Sequence, residues 1–355
     1  MADPRIEQLA DILVGHSLKV SKGEKILISA SVEAAPLVKE VYRKVLRAGG
    51  HPLTQLELPG LARIFYDEAG EEQLAYNEHT LMTYEHVDGM IRILAESNTK
   101  ELTGVTAEKL RLRQKATRPA TEILLEDRTR WVLTRFPTNA LAQDADMSLE
   151  DYEQFVYGAT NVDYTEIRNR MLAAAERFDR GSKVRIVGKE TDITIDIEGR
   201  KGVLCAGEQN VPDGEFFYTP NHRLTEGTIY YDWATSYKSQ EVKGIRLTFK
   251  EGKVVEFSAE KGEAVLRQAL DTDEGARYLG ELGIGANFGI TRPSKDILFD
   301  EKIGGSIHLA LGASYAQAGK GNHSAIHWDM VKGLMDGGEI YIDGELVQKN
   351  GQWTF

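Results

Sequence analysis

The chain has 355 residues, and its 43 lysines and arginines against 55 aspartates and glutamates give a net charge of −12. This acidic balance argues against a nucleic-acid binder, because phosphate recognition needs a basic face. The 41% hydrophobic and 28% charged contents are ordinary globular values, which exclude disorder or a coiled coil as the main state. At about 150 residues per domain, the length predicts about two domains.

Cysteine content and terminal composition bear on the compartment. The single cysteine, Cys205, cannot close an intramolecular disulfide, and residues 1–5 lack the basic-then-apolar layout of a signal peptide. The longest uncharged stretch, Ile303 to Gly319, is too short to span a bilayer comfortably and is interrupted by glycines. We therefore expect a cytoplasmic protein with no membrane partner and no nucleic-acid partner.

Strand and helix patterns alternate in the first part of the chain. Buried-strand and helical spacings predict strands at 25–30, 51–57, 87–94 and 131–134, and helices at 34–46 and 107–126. Gly49-Gly50 ends the first of these helices, and Ser148-x-x-Asp151 has the form of a capping box that opens another. The alternation predicts an α/β domain with a partly parallel sheet.

Hairpin signals dominate the rest of the chain. Residues 184–197 alternate in polarity, and Glu251-Gly252, Asp343-Gly344 and Asn350-Gly351 are typical two-residue hairpin turns. We place the boundary at residue 128. This predicts an N-terminal α/β domain (1–128) followed by a mainly antiparallel α+β domain (129–355).

Two glycine-rich segments resemble nucleotide-binding motifs but have the wrong spacing. Residues 283–289 read GxGxxxG, and no predicted strand leads into them, so we interpret them as a glycine-rich turn. Residues 312–320 end in Gly-Lys after six intervening residues rather than four, which excludes a phosphate loop. The sequence therefore gives no support for a nucleotide cofactor.

A histidine and an aspartate alternate with apolar residues near the C-terminus. Within residues 324–331, a strand would present its apolar side chains on one face and both His327 and Asp329 on the other. Such a pair suits a divalent metal. Two alternatives stay open: a helix that carries His323 and His327 on one face, and a surface pair without a ligand.

Three other residues have a setting compatible with metal binding. Residues 306–312 repeat the alternation and place His308 among small neighbours. Glu215 follows a tight turn, and Glu281 stands between glycines. A glutamate flanked in this way is usually exposed in a turn, so neither glutamate is diagnostic alone.

Five motifs occur in order along the chain: Gly214-Glu215, Tyr278-Leu279-Gly280-Glu281, Phe299-Asp300-Glu301, His308-x-Ala310-Leu311-Gly312-x-x-Tyr315 and Asn322-x-Ser324-x-x-His327-x-Asp329. Together they resemble the aminopeptidase T/S (thermophilic aminopeptidase) family of metallopeptidases. The resemblance implies an active-site tyrosine, Tyr315, in a metal-binding catalytic C-terminal domain. It also implies six metal ligands: Glu215, Glu281, Glu301, His308, His327 and Asp329.

This ligand set is larger than one tetrahedral zinc requires. We therefore expect two divalent ions ~3.5–4 Å apart, with Asp329 as the candidate bridge. Glu215 or Glu281 is an alternative general base, and the Tyr315 hydroxyl is a candidate donor to the oxyanion. Zinc, cobalt and manganese all suit carboxylate and imidazole ligands.

The sequence thus predicts a dinuclear metal-dependent aminopeptidase that removes the N-terminal residue of short peptides through a metal-activated water. The family resemblance further implies a homodimer. Two alternatives stay open. The short segment between Tyr315 and Asn322 is compatible with a hydrolase of a non-peptide amide or modified peptide, and an inactive, metal-free binding protein is the third hypothesis.

Overall fold

The structure is a computed structural model that describes residues 3–126, 128–238 and 240–355. The chain divides into two compact units. One comprises Met1–Asn161 with Gly207–Pro212, and the other comprises Val162–Ala206 with Asp213–Phe355. The predicted domains, 1–128 and 129–355, stay a prediction, because compactness does not test which segments fold independently.

The first unit contains a parallel sheet. Its strands are β1 (Lys25–Ser31), β2 (His51–Glu57), β3 (Gly89–Leu94), β4 (Arg130–Arg135) and β8 (Asn210–Val211). They lie in the order β2-β1-β3-β4-β8, and each neighbouring pair is parallel. Ile26, Leu27 and Ile28 of β1 are fully buried, as is typical of a central parallel strand.

Helices connect these strands. They are α1 (Pro4–Asp11), α2 (Ala35–Arg47), α3 (Leu61–Glu68), α4 (Glu71–Ala75), α5 (Glu78–Glu85), α6 (Ala107–Leu125), α7 (Asn139–Asp144) and α8 (Leu149–Thr160). The Ser148 hydroxyl accepts the backbone N–H of Asp151 (3.1 Å), so the predicted cap of α8 is confirmed. The predicted α/β character is confirmed as well.

The second unit is built mainly from strands. They are β5 (Lys183–Gly188), β6 (Thr191–Asp196), β7 (Val203–Cys205), β9 (Glu215–Tyr218), β10 (Glu226–Tyr231), β11 (Thr235–Tyr237), β12 (Gln240–Val242), β13 (Ile245–Lys250), β14 (Lys253–Ser258), β15 (Leu279–Gly285), β16 (Ser306–Gly312), β17 (His327–Gly333), β18 (Glu339–Ile342), β19 (Glu345–Lys349) and β20 (Gln352–Trp353). Its helices are α9 (Tyr164–Phe178), α10 (Glu263–Leu270) and α11 (Ile297–Asp300).

These strands form antiparallel sheets. One sheet has the order β14-β13-β10-β6-β5-β18-β19-β20, β11 pairs with β12, and a further sheet has the order β17-β16-β15-β9-β7. The predicted turns Glu251-Gly252, Asp343-Gly344 and Asn350-Gly351 have positive φ at both residues, as type I′ hairpins require. The mainly antiparallel α+β prediction for this part of the chain is confirmed.

The sheet β17-β16-β15-β9-β7, here called the site sheet, buries one apolar face. Leu309 of β16 and Met330 of β17 are fully buried there. The interpretation of residues 283–289 as a turn is wrong at its start, because β15 extends to Gly285. In the parts of the chain that the structure describes, no helix is both long enough and apolar enough to cross a membrane.

Candidate metal centre

The opposite face of the site sheet carries most of the predicted ligands. Glu215 is the first residue of β9, Glu281 lies in β15, His308 in β16, and His327 and Asp329 in β17. Both predicted histidine strands are confirmed, and the helical alternative around His327 is wrong. The two glutamates are buried within strands rather than exposed in turns.

The strand register leaves space around these side chains. Each of them lies opposite a glycine or an alanine on a neighbouring strand: Glu215 opposite Gly285, Glu281 opposite Ala310, His308 opposite Gly283, Asp329 opposite Ala310, and His327 opposite Gly312. Cross-strand partners lie close enough for their side chains to touch. Small partners therefore let the polar groups converge on one volume.

His308 is held from both of its ring nitrogens. Its Nδ1 is 3.0 Å from the Glu301 carbonyl oxygen, which can only accept, so Nδ1 carries the proton that it donates. The Nε2 atom is 3.0 Å from Glu281 Oε1 and 3.4 Å from Glu215 Oε2. This backbone support is typical of a histidine that orients its other nitrogen towards a metal.

His327 repeats this arrangement on β17. Its Nδ1 is 2.7 Å from the Ala313 carbonyl oxygen, and its Nε2 is 3.3 Å from Asp329 Oδ2 and 3.9 Å from Glu281 Oε2. The Glu281 carboxylate thus directs one oxygen towards His308 and the other towards His327. That geometry makes Glu281 a second candidate for a bridging carboxylate.

Glu301 completes the cluster from outside the strands. It directly follows α11, and its carboxylate contacts the ammonium group of Lys302. The Lys302 Nζ atom is also 3.4 Å from Glu215 Oε1, and the lysine side chain is fully buried. Sequence reasoning missed Lys302. Its only signal was its position next to the Phe299-Asp300-Glu301 motif, and a lysine in such a turn is usually exposed.

Several carboxylate oxygens in the cluster lack ordinary partners. Among the described residues, the buried atoms Glu215 Oε2, Glu281 Oε2 and Asp329 Oδ1 have no hydrogen-bond partner. Unpaired charged oxygens are costly to bury. Within the described part of the chain, ligand atoms lie within 4.8 Å of one another in three groups. Two consist of predicted ligands only, Glu215 with Glu301 and His308, and Glu281 with His308 and Asp329; the third is Cys205 with Asp213 and Glu215. These oxygen and nitrogen donors fit divalent cations.

The electrostatics of the cluster favour bound positive charge. Burial raises the pKa values of Glu215 and Glu281. Burial also acts to raise the pKa of Asp329, but His327 and His308 outweigh it and lower that pKa. Burial acts to lower the pKa values of both histidines, but the neighbouring carboxylates outweigh it. The pKa is raised to about 10 for His308 and to about 9 for His327.

Tyr315 lies at the edge of the cluster. Its ring centroid is 4.5 Å from that of His327 and 6.0 Å from that of Phe217, and the residue is 45% exposed. Desolvation, followed by the charges of Asp329 and Glu281, raises the pKa of Tyr315. The phenol therefore keeps its proton and stays a hydrogen-bond donor near neutral pH.

A cavity of about 280 Å³ adjoins the cluster at His327 and Asp329. Its wall also includes residues 233–238, Ile297 and Trp328. The wall therefore combines aromatic and apolar surface with polar groups, as is usual for a small-molecule site. It offers a reacting group access to the two β17 residues.

A buried group of carboxylates and histidines with unsatisfied oxygens is the kind of donor set that metalloenzymes use. Over residues 2–353 the sequence matches the family described as thermophilic metalloprotease (M29), and the chain belongs to that family. It is therefore a metallopeptidase, a hydrolase that uses divalent metal. The predicted family and the predicted enzyme class are confirmed.

Relatives of known name cover the whole chain. It is 29% identical to aminopeptidase T of Thermus thermophilus over 98% of both chains. It is 25% identical to aminopeptidase 2 of Geobacillus stearothermophilus over 99% of this chain and 98% of the relative. The solved structure of wild-type AmpT from Thermus thermophilus superimposes with a TM-score of 0.85 at 26% identity, covering 99% of each chain. A 2,5-dihydroxypyridine dioxygenase from Pseudomonas putida shares the fold, with a TM-score of 0.62 at 15% identity. The match covers 98% of this chain and 96% of the dioxygenase.

Proposed function

We propose that this metallopeptidase is a dinuclear aminopeptidase that removes the N-terminal residue of short peptides. The observation that carries the proposal is the convergence of His308, His327 and the carboxylates on one buried volume that retains unpaired oxygens. The names of the relatives support removal of the N-terminal residue.

The two ligand groups would each hold one ion. Glu215, Glu301 and His308 would hold one ion. Glu281 and Asp329 would hold the other together with His327, whose Nε2 atom lies 3.9 Å from Glu281 Oε2 and 3.3 Å from Asp329 Oδ2. A nitrogen atom ligates one ion at a time, so a carboxylate must be the shared ligand. Asp329 remains the predicted bridge, and Glu281 is the alternative that the distances favour. Bound there, divalent ions would supply Lewis acidity and a water of lowered pKa.

The residues around these positions have distinct roles in peptide hydrolysis. The Tyr315 hydroxyl donates a hydrogen bond to the carbonyl oxygen as negative charge develops on it. In the alternative in which Glu215 or Glu281 is the general base instead of a metal ligand, its carboxylate accepts the proton of the attacking water and returns it to the leaving amine. A carboxylate oxygen of the cluster that does not ligate a metal would suit the free α-ammonium group of a peptide, which would set the requirement for an unblocked N-terminus.

One observation supports a second candidate, a hydrolase of a non-peptide amide or modified peptide on the same scaffold. The alignment with aminopeptidase T extends over 416 positions, whereas this chain has 355 residues. The relative therefore contains segments that this chain lacks, and the segment after Tyr315 is short. A changed pocket wall would change the substrate without changing the metal ligands.

The test is a reconstitution assay on matched substrates. The full chain is stripped of metal, reloaded with zinc, cobalt or manganese, and assayed on aminoacyl amides, free dipeptides and tripeptides, and the same peptides N-acetylated. We expect metal-dependent release of the first residue from unblocked peptides alone. Equal hydrolysis of blocked and unblocked peptides would contradict the aminopeptidase proposal, and activity on amides but no peptide would favour the second candidate.

A homodimer in the cytoplasm is part of the same proposal. Large apolar side chains are about half exposed between residues 53 and 64: Leu53, Leu56, Leu58, Leu61 and Ile64. The apolar surface left exposed on this segment, which comprises β2 and the start of α3, supports a protein interface there. The molar mass in solution, measured by light scattering, tests the dimer, and a monomer at all concentrations would contradict it.

A further inference from the structure

Lys302 places a fixed positive charge inside the metal centre. Its side chain is fully buried, its Nζ atom is 3.4 Å from Glu215 Oε1, and it contacts Glu301. A buried ammonium group is costly unless carboxylates pair with it. The lysine is therefore held within the cluster by two of the proposed metal ligands.

The two ligand groups differ in their relation to this lysine. Glu215 and Glu301, which belong to one group, each direct an oxygen towards Lys302. Among the described residues, Glu281 and Asp329 of the other group form no ion pair with a lysine or arginine, and each retains an unpartnered oxygen. The first group is thus partly neutralised by a lysine, whereas the carboxylates of the second are paired only with histidines, which give up their protons when they ligate a metal.

We propose that Lys302 makes the two metal positions unequal, so that the Glu281 and Asp329 position binds a divalent ion tightly and the Glu215 and Glu301 position binds it weakly. This inference rests on the proposed dinuclear site. The physical reason is twofold. The ammonium group repels a second cation at close range, and it already occupies one oxygen of each carboxylate in its group. Lys302 is a positioning residue for the two glutamates.

Metal titration of the stripped full chain tests the proposal without an activity readout. Zinc is titrated calorimetrically against a competing chelator. In the unmodified chain we expect two equivalents in two resolved steps. Lys302→Met, which keeps the length of the side chain and removes its charge, should raise the affinity of the weaker step at least ~10-fold and leave the tighter step unchanged within experimental error.

Two further variants serve as controls for this titration. Lys302→Arg keeps the charge and should preserve the difference between the steps. Lys332→Met removes another buried lysine, whose Nζ donates to the Tyr230 carbonyl oxygen (2.8 Å). Lys332 belongs to β17, but it lies on the opposite face of the strand from Asp329. It should alter neither metal step.

Lys302→Met leaves two buried carboxylates without their partner, so the stripped variant risks unfolding. If Lys302→Met does not fold, Glu301→Gln provides the test of the unequal positions, because it removes a ligand from the weaker position only. It should abolish or weaken the second step and leave the first unchanged. Thermal unfolding with and without zinc establishes that each variant is folded before it is titrated.

The outcomes separate this inference from the proposed function. Two equivalents of equal affinity in the unmodified chain would overturn the inference and leave the dinuclear centre standing. The inference would also be overturned if Lys302→Met changed the affinities of both steps equally or changed neither. It would likewise be overturned if Glu301→Gln weakened the tighter, first step. A single equivalent in the unmodified chain would overturn the dinuclear proposal, and this inference with it.

Discussion

Gly283 on β15 lies directly opposite His308 on β16, and a Cβ atom added to Gly283 would be 2.0 Å from His308 Nε2. No side chain fits at that distance unless the imidazole moves. The ring has little freedom to move, because its Nδ1 bonds to the Glu301 carbonyl oxygen and the residue is 1% exposed. The glycine therefore leaves the space that the imidazole ring of His308 and its Nε2 atom occupy.

Gly283→Ala should displace the His308 ring and weaken metal binding and catalysis together. We expect kcat/KM to fall by ~10²-fold or more, as is common when a catalytic group is misplaced by about 1 Å. Overpacking should also lower the free energy of unfolding by about 1–3 kcal/mol. Kinetics, metal content and thermal unfolding of the variant measure these effects.

Gly15→Ala is the matched control, because a Cβ at Gly15 meets no atom within 4 Å and its φ is not positive. That variant should keep its activity and its metal. An active Gly283→Ala variant with a full metal complement would show that the site tolerates a shifted ring and does not require a glycine at position 283.

Local patterns predicted the strands that carry the histidines. Around His308 and His327, polar residues alternate with apolar ones, and the period of two is a property of a few neighbouring residues. The turns Asp343-Gly344 and Asn350-Gly351 were predictable for the same reason, because positive φ at two successive positions is a local requirement that Asn, Asp and Gly meet.

The burial of Glu215 and Glu281, and the presence of Lys302, were not predictable from local patterns. Strand register decides that Glu215 lies opposite Gly285 and that Glu281 reaches both histidines, and register joins residues that are distant in the sequence. Lys302 follows a short helix, where no period distinguishes a buried residue from an exposed one. Its burial depends on carboxylates supplied by other elements.

Asp329→Asn should remove nearly all activity and at least one metal while leaving the fold intact. The amide keeps the size of the carboxylate, so packing hardly changes, but it offers one neutral oxygen and a nitrogen that cannot ligate. Because His327 and His308 lower the pKa of Asp329 in the stripped protein, loss of this charge should lower the free energy of unfolding of the stripped variant without unfolding it. Metal content by elemental analysis, kcat and thermal unfolding test this together.

The result would go against the assignment if Asp329→Asn bound two metals and turned over near the unmodified rate. A mononuclear site centred on other ligands would then replace the dinuclear one. Asp336→Asn, an exposed change further along the chain, controls for the loss of a negative charge.

Tyr315→Phe should differ from Asp329→Asn in its metal content and in its residual activity. The ring contacts with His327 and Phe217 remain, so both metals should stay bound, whereas loss of the hydroxyl should slow kcat ~10²-fold if it stabilises the oxyanion. KM should change little, because the hydrogen bond is made in the transition state. Loss of metal from Tyr315→Phe, or an unchanged kcat, would remove the tyrosine from this role.

Metal binding should release protons and strengthen as the pH rises. The pKa values of His308, about 10, and His327, about 9, lie above neutrality in the metal-free protein, so both rings are protonated at pH 7. A metal ligates only the neutral imidazole. Loading both histidines at pH 7 should therefore release close to two protons, and the apparent affinity should increase with pH until it levels off above about pH 10.

Calorimetry in buffers of different ionisation enthalpy counts these protons, because the observed heat varies linearly with the buffer enthalpy and the slope is the number released. The sign follows from the raised histidine pKa values: acid favours the protonated, metal-free protein, and base favours the loaded one. His79→Asn, which removes an exposed histidine, should leave the slope unchanged. A slope of zero at pH 7 would contradict this prediction, because it would mean that neither buried ring gives up a proton on loading.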